Sequence, residues 1–294
     1  MLHTLLYFLA LISLSTSPNW AKLNHMPVEI LGFWRLGIAA LLLLAFIFIR
    51  RKTWPNLRDK NMRWVFLAAF FFFLHLATYK FAAKNTTISN TMILFASNPV
   101  WASLGAAVFF SEKITRRVVL AYALALIGIF ILVHQQIKFA PEGLKGDISS
   151  LLSAFFYAAY MLTGKRARQN YANVIFSFFQ YSVGAICFGL VALGTEKSFT
   201  GYDAISWQAV AGLILLPTFL GHFSFTYLVK YMNITLMTCG KLLEPVFAAI
   251  IAYFLFHELM TIEAWLAFGF TTASVLVLFT PQLFNRRRNS STSL

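Results

Sequence analysis

Residues 98–115 read NPVWASLGAAVFFSEKIT, and residues 244–261 read EPVFAAIIAYFLFHELMT. The two stretches lie 146 residues apart and align without a gap, with seven of the eighteen positions identical. The shared residues include the proline at the second position and a glutamate near the end, which is Glu112 in one stretch and Glu258 in the other. We infer that the two halves of the chain are diverged copies of one unit.

The composition of the chain indicates a membrane protein. Of 294 residues, 59% are hydrophobic and 12% are charged, against about 25% charged residues in soluble domains. The mean hydropathy is +0.71. A bilayer core needs about 20 apolar residues per helical span, and ten apolar runs fit this length. They lie at roughly 2–21, 28–49, 64–82, 87–110, 117–134, 147–164, 171–193, 207–229, 233–256 and 263–281. The sequence therefore predicts an all-α integral membrane protein with ten transmembrane helices.

The basic residues between the apolar runs predict the orientation. Sixteen Lys and Arg residues fall on the side that carries both termini, and five fall on the other side. Cytoplasmic segments carry such an excess, so both termini are expected in the cytoplasm, in a bacterial inner membrane. The net charge of +14 forms no basic stripe with interleaved aromatic residues, and no nucleic-acid partner is expected.

The repeat divides the chain into residues 1–146, residues 147–282 and a basic cytoplasmic tail at 283–294. Each copy holds five predicted helices, an odd number, so the second copy must cross the membrane in the opposite sense to the first. Inverted repeats of this kind are typical of secondary transporters, in which two equivalent halves alternate access to a central site.

Three motifs resemble a known family. They are Phe33-Trp34-Arg35, FAAKNTTISN at 81–90, and LLEPVF at 242–247 followed by Glu258. Together they are similar to EamA-type members of the drug/metabolite transporter superfamily, over nearly the whole chain. The resemblance implies a basket of helices around a central cavity lined chiefly by the first, third, fourth, sixth, eighth and ninth helices. One departure is Asn98, which stands where the second copy has Glu244.

Glu244 and Lys241 are the first candidates for a functional site. Ionisable groups inside membrane helices are costly and are functional candidates by default, and this pair is spaced to share one helix face. Glu244 is expected either to bind a cationic group or a coupling proton, or to form a structural pair with Lys241 at the break before Pro245. The sequence leaves both readings open.

Histidines and aromatic residues supply further candidates. His75 and His222 lie mid-way along the third and eighth predicted helices, one residue from equivalence, and a buried imidazole can respond to protons. Tyr79 shares the face of His75. Trp101 and Phe247 occupy equivalent positions after the paired prolines and could stack on a substrate. Each of these side chains could equally be structural.

Polar side chains near prolines complete the set of candidates. Asn19 follows Pro18, and Asn98 precedes Pro99, so each could line a polar wall of a cavity. Close helix packing is the alternative explanation. We interpret Arg35 as structural, through snorkelling or bonds to carbonyl groups, and Glu112 as a helix-end anchor. Thr115 is placed to cap the fifth predicted helix.

The predicted function is therefore secondary transport, as an exporter, of a small metabolite such as an amino acid, an amine or a drug-like solute. A lipid flippase of the same architecture is the alternative. The chain shows no HExxH, GxSxG or nucleotide-binding motif, so neither an enzyme nor ATP-driven transport is expected. No cofactor and no metal are expected, and Cys187 and Cys239 show no zinc-binding spacing. Protons are the expected coupling ion, whereas the substrate and the choice between monomer and homodimer stay open.

Overall fold

A computed structural model describes residues 2–86, 91, 94–134, 141–256, 262–263, 265–274 and 276–277. These residues form helices, turns and short connections, and contain no strand. The predicted tail at 283–294 lies outside the described residues, and so does Glu258.

Eleven helices are labelled here in chain order. They are α1 (Leu2–Ser15), α2 (Ser17–Lys22), α3 (Val28–Ile49), α4 (Met62–Asn85), α5 (Asn98–Phe110), α6 (Arg116–Val133), α7 (Leu144–Arg168), α8 (Asn173–Gly194), α9 (Ala204–Leu228), α10 (Ile234–Gly240) and α11 (Glu244–Phe256). Residues 265–274 are also helical.

Four of the described helices are long and apolar enough to cross a bilayer. They are α3, residues Met62–Ala82 of α4, α8 and α9. The starts of several helices carry the polar caps that helix N-termini need. The hydroxyl of Thr115 accepts a hydrogen bond from the Val118 amide at 3.4 Å, which confirms the predicted cap. Asp203 and Asn233 cap α9 and α10 in the same way.

Helix α4 packs most extensively against α7, and α3 packs against α8. Small residues allow the close approach, as is usual between membrane helices. At Gly146, a Cβ atom would lie 2.6 Å from the backbone of Asn85, so only glycine fits there. Buried tyrosines then add hydrogen bonds between helices. The hydroxyl of Tyr7 in α1 donates to the carbonyl of Met237 in α10 at 2.8 Å.

Two helices are interrupted at equivalent positions of the two halves. A 3₁₀ turn at Lys241–Leu243 separates α10 from α11, and residues 96–97 form a turn directly before α5. The apolar run predicted at 87–110 is therefore divided by a turn just before Pro99, a proline that was expected to interrupt it. Each break precedes an X-Pro pair, Asn98-Pro99 or Glu244-Pro245, and proline cannot continue the hydrogen-bond ladder of a preceding turn.

The third irregular segment is a wide π-helical turn in α9. It spans Ile214–Phe223 and contains Pro217. Because Pro217 has no amide proton, it cannot bond the Leu213 carbonyl four residues earlier. The hydroxyl of Thr218 donates to that carbonyl instead, at 2.8 Å. Such π-helical turns are frequent at functional sites.

Candidate functional site

Lys241 and Glu244 form an ion pair at the break between α10 and α11. The Lys241 Nζ lies 2.6 Å from Glu244 Oε2, and the two side chains are 8% and 21% exposed. The other carboxylate oxygen, Oε1, is buried and has no hydrogen-bonding partner among the described residues. The structure thus brings together the two residues that the spacing predicted to pair, and leaves one carboxylate oxygen available.

Aromatic side chains surround the ammonium group of Lys241. Its Nζ lies 5.0 Å from the ring centre of Tyr157 and 5.8 Å from that of Phe95, within the range of cation–π attraction. The ring of Tyr79 meets Phe95 edge-on at 5.2 Å. The ion pair therefore sits beside an aromatic wall contributed by α4, α7 and the segment before α5.

His75 belongs to the same wall. Its ring stacks on Phe95 at 5.3 Å and meets Tyr157 edge-on at 5.0 Å. The Ser153 hydroxyl donates its one proton to the His75 carbonyl at 3.0 Å, so it accepts from the ring Nδ1–H at 2.9 Å. This geometry selects the Nδ1–H tautomer and leaves Nε2 as an acceptor.

Asn98 holds the position of Glu244 in the other half. Its side chain is 1% exposed, and its amide group donates to the Phe95 carbonyl at 2.9 Å. The Asn98 Oδ1 is buried without a partner among the described residues. Phe95 itself lies 146 residues before Lys241. Equivalent positions of the two copies therefore meet in this cluster, which we call the central site: His75, Tyr79, Phe95, Asn98, Tyr157, Lys241 and Glu244.

The family model of "EamA-like transporter family" proteins matches residues 1–134 and, again, residues 144–280. The chain belongs to the EamA-like transporter family. It is therefore a multi-pass membrane protein of a transporter family, and the resemblance seen at residues 33–35, 81–90 and 242–247 is confirmed.

Relatives of this EamA-like protein carry transporter names. An "uncharacterized transporter" of Archaeoglobus fulgidus is 25% identical over 218 residues, which cover 71% of this chain and 73% of the relative. The uncharacterized transporter YdfC of Bacillus subtilis is 23% identical over 257 residues, or 87% and 83% of the two chains. A solved crystal structure with 18% identity superimposes with a TM-score of 0.83 over 97% of this chain and 98% of its own, which shows the shared fold.

Arg35 is a second buried cation of the EamA-like transporter, apart from the ion pair. It lies seven residues into α3 and is 5% exposed. Its Nε donates to the Thr218 hydroxyl at 2.8 Å, and its Nη2 has no partner among the described residues. Insertion scales assign about 2.5–3.5 kcal/mol to a charge at the centre of a membrane helix. The expected snorkelling or carbonyl pairing of Arg35 is not what the described residues show.

His222 lies in the π-helical segment of α9, four residues after the Thr218 that binds Arg35. Its ring meets Phe72 edge-on at 5.1 Å, and the side chain is 8% exposed. The two histidines chosen from the sequence therefore contact different aromatic residues, Phe72 for His222 and Phe95 with Tyr157 for His75.

Three other candidates lie outside the central site. Trp101 is 42% exposed and meets Phe155 edge-on at 5.8 Å. The Asn19 amide donates to the Ala248 carbonyl at 3.4 Å, which joins α2 to α11. Phe247 is partly buried against the main core. The structure gives these residues packing contacts, and their proposed substrate contacts stay a prediction.

Phe95, Ser153 and Tyr157 lie in or beside the central site but were not among the candidates predicted from the sequence. For Phe95 the signal was present, since it is the repeat equivalent of Lys241. Ser150, Ser153 and Tyr157 recur at helical spacing on one face of α7 and are all buried. A polar stripe on an otherwise apolar membrane helix was the feature that could have identified this wall.

Glu112 joins three segments at the opposite end of α10 from the central site. Its Oε1 accepts from Lys165 Nζ at 2.7 Å and from the Ile234 amide at 3.1 Å. Its Oε2 accepts from the Thr235 amide at 3.3 Å and from the Thr235 hydroxyl at 3.2 Å. A carboxylate at a helix N-terminus is favourable both as a cap and for the helix dipole. Glu112 thus ties the ends of α5 and α7 to the start of α10.

Proposed function

We propose that the protein is a secondary transporter that exports a small metabolite by alternating access to the central site. The observation that carries this proposal is the meeting of Lys241 with Phe95, its equivalent in the other half, at two interrupted helices. Broken helices that meet where two repeats face each other are the usual place for substrate sites in secondary transporters.

The helix contacts support two inverted repeats at residues 1–146 and 147–282. In a ten-helix inverted repeat, the first five helices correspond one by one to the last five. Contacts of the third helix with the sixth must therefore be matched by contacts of the eighth with the first. The third, sixth, eighth and first predicted helices are α4, α7, α9 and α1, and α4 packs on α7 while α9 packs on α1. The contacts α3–α8 and α5–α10 each join a helix to its own equivalent in the other half. The two separate matches to the family model agree with this division.

The central site suits a small solute with a polar or charged group and an apolar body. Rings of Phe95, Tyr79 and Tyr157 offer apolar and π surfaces, while the Lys241–Glu244 pair offers both charges. Amino acids, amines and drug-like solutes share this chemistry. The proposed transporter works without a cofactor or a metal.

Proton coupling through Glu244 is the proposed energy source. Its Oε1 has no partner among the described residues, so a proton can bind there without breaking the hydrogen bond that Lys241 Nζ donates to Oε2. The test is Glu244→Gln in proteoliposomes. It should abolish solute movement driven by a pH gradient and leave counterflow exchange intact. The control is Glu196→Gln, an exposed glutamate just after α8 that lies outside both candidate sites, and it should keep the pH-driven component.

Two results would count against this proposal. Unchanged pH dependence in Glu244→Gln would overturn proton coupling through this carboxylate. Failure of the wild-type protein to exchange any small solute in counterflow would overturn the transport proposal itself. Gradients imposed in each direction, with sidedness fixed by a tag on one terminus, test export against import.

The proposed location is the bacterial inner membrane, with both termini in the cytoplasm. The excess of basic residues between the helices supports this orientation. The test fuses to each terminus a reporter that is active only in the cytoplasm. Both fusions should be active. A periplasmic location of one terminus alone would contradict an even number of helices, and a periplasmic location of both would contradict the orientation.

A lipid flippase is the second candidate, and one observation favours it. A crevice of about 360 Å³ lies among α3, α4, α7 and α8, lined by Val28, Phe73, Phe81 and Phe188 together with Glu29 and Lys80. Apolar walls with two charged groups suit a zwitterionic lipid. Scrambling of a fluorescent phospholipid in proteoliposomes, lost in Phe73→Trp and unaffected by Glu244→Gln, would favour this function over solute transport.

A further inference from the structure

We infer that Arg35 forms an anion-binding subsite of the transport pathway and that the transported solute carries a carboxylate group. This inference rests on the proposed transport function and specifies its substrate class.

The first support is the state of the Arg35 guanidinium. The side chain is 5% exposed, yet the Nη2 group has no hydrogen-bonding partner among the described residues. Among the described residues, ion pairs join Lys241 to Glu244, Lys165 to Glu112 and His25 to Asp203. None of them includes Arg35, so its charge is buried without a carboxylate partner among the residues that the structure describes.

The second support is that the guanidinium is held in place from one side. Thr218 uses its hydroxyl proton on the Leu213 carbonyl, which Pro217 leaves without its usual donor. The Thr218 oxygen can therefore only accept, and it accepts from Arg35 Nε at 2.8 Å. The neighbouring Tyr181 hydroxyl donates to the Thr218 carbonyl at 3.1 Å. These bonds hold the Nε group of the guanidinium in place and leave Nη2 available for a ligand.

Arg168 differs from Arg35 in how its guanidinium is bonded. Arg168 is also a buried arginine, at 3% exposure. Its Nε donates to the Thr226 carbonyl at 2.9 Å, and its Nη1 donates to the Tyr171 carbonyl. Its side chain has no atom among the buried groups that lack a partner. Arg168 therefore has the contacts of a structural arginine, which Arg35 lacks.

The charges around the central site define the class of ligand. Lys241 and Glu244 compensate each other, whereas Arg35 adds one positive charge beside Thr218, about one turn before His222 in the same π-helical segment. One carboxylate would neutralise that charge and could accept two parallel bonds from a guanidinium. A phosphate monoester carries about −1.5 to −2 charges near neutral pH and would leave the site negative. Near this anchor, Tyr181 bonds to the Thr218 carbonyl and Phe72 packs against both Tyr181 and His222, which offers aromatic surface for the body of an aromatic carboxylate.

The experiment compares phenylacetate with its neutral isostere phenylacetamide and with the cation phenylethylamine. Each is added to purified protein in phosphatidylcholine nanodiscs, and both the melting temperature and counterflow exchange in liposomes are measured. Phenylacetate should stabilise and exchange better than phenylacetamide. Arg35→Gln should weaken the apparent affinity for phenylacetate about tenfold or more and leave the amide unchanged. Arg35→Lys should retain part of the preference, because it keeps the charge and loses the planar fork.

The control variant is Arg168→Lys, which should lower the melting temperature without changing the preference for the carboxylate. It also shows whether a loss of stability alone can mimic the effect of Arg35→Gln. Should Arg35→Gln fail to fold, Arg35→Lys against Arg168→Lys gives the same comparison.

Several outcomes would overturn the subsite. A preference for phenylacetate that persists in Arg35→Gln, or that is absent in the wild type, would do so. Exchange of the amide or the amine without that preference would remove the subsite and leave the transport proposal standing. If none of the three probes binds or exchanges, the carboxylate subsite is overturned, and the transport proposal is then decided by the Glu244 test. Stabilisation by added phosphatidylglycerol, dependent on Arg35 and without any effect of phenylacetate, would assign Arg35 to a lipid and overturn the inference.

Discussion

The Lys241 ammonium lies 5.8 Å from the ring centre of Phe95, which is the residue at the same position in the other half of the chain. Their neighbours three residues later, Glu244 and Asn98, are also equivalent. One copy therefore supplies an ion pair, and the other supplies an aromatic ring and an amide. The two copies have kept the same backbone break and have diverged in the chemistry they place there.

Removing one partner of the ion pair should cost more than removing both charges. Lys241→Met leaves Glu244 buried without its counter-charge, a loss of about 3–5 kcal/mol for buried pairs. Lys241→Met combined with Glu244→Gln should recover a large part of that loss. The free energy of unfolding, measured by detergent titration in mixed micelles, tests this directly. A double variant no more stable than Lys241→Met would show that the pair does not control stability.

Glu112→Ala should destabilise the start of α10. The substitution removes the partner of Lys165 and the acceptor of the Ile234 and Thr235 amides, and hydrogen bonds to charged groups are each worth about 1.5–3 kcal/mol. The buried thiol of Cys239 in the same helix reports the change. In a Cys187→Ser background, its labelling by a maleimide should become faster in Glu112→Ala. The exposed Glu196→Ala is the control, and equal rates in both would contradict the proposed role of Glu112.

Hydropathy predicted the long helices closely. The run at 28–49 coincides with Val28–Ile49, and the run at 171–193 corresponds to Asn173–Gly194. These helices are long, and they are bounded by charged or polar residues, which mark where the apolar environment ends. Family membership could also be predicted, because short motifs at three separate places point to the same family.

The face that each helix turns inward could not be read from hydropathy. Lipid and protein interior are both apolar, so the amphipathic signal that orients a soluble helix is absent. For this reason the wall formed by Ser153 and Tyr157 was missed, and Trp101 was grouped with Phe247 by sequence equivalence alone. The vacant donor of Arg35 depends on the geometry of the π-helical turn around Pro217 and Thr218, which no spacing in the sequence indicates.

The loop pair of Asp203 with His25 should make stability depend on pH in the acid range. Hydrogen bonds from Ser206, and then the contact with His25 Nδ1 at 2.8 Å, lower the pKa of Asp203 from 3.8 to about 2. Because the folded pKa lies below the unfolded one, the stabilisation is fully present above about pH 4 and is lost as the pH falls through about 2. The melting temperature of the wild type should exceed that of Asp203→Asn at pH 5, and the difference should shrink toward pH 2. A constant difference across this range would contradict the assignment.

Gly240→Ala should disrupt the contact between α1 and α10, and Tyr7→Phe should partly rescue it. A Cβ atom at residue 240 would collide with the Tyr7 hydroxyl, while the ring atoms Cζ and Cε1 would lie at 3.0 and 3.2 Å. Tyr7→Phe removes the colliding oxygen but also the bond to the Met237 carbonyl, which should cost about 0.5–1.5 kcal/mol by itself. The double variant should therefore be more stable than the sum of the two single changes predicts, since residues in contact are not additive. Unfolding free energies of the four proteins measure this coupling. Simple additivity would mean that α1 moves away from α10 in Gly240→Ala, and that the close approach at Gly240 is not required for the fold.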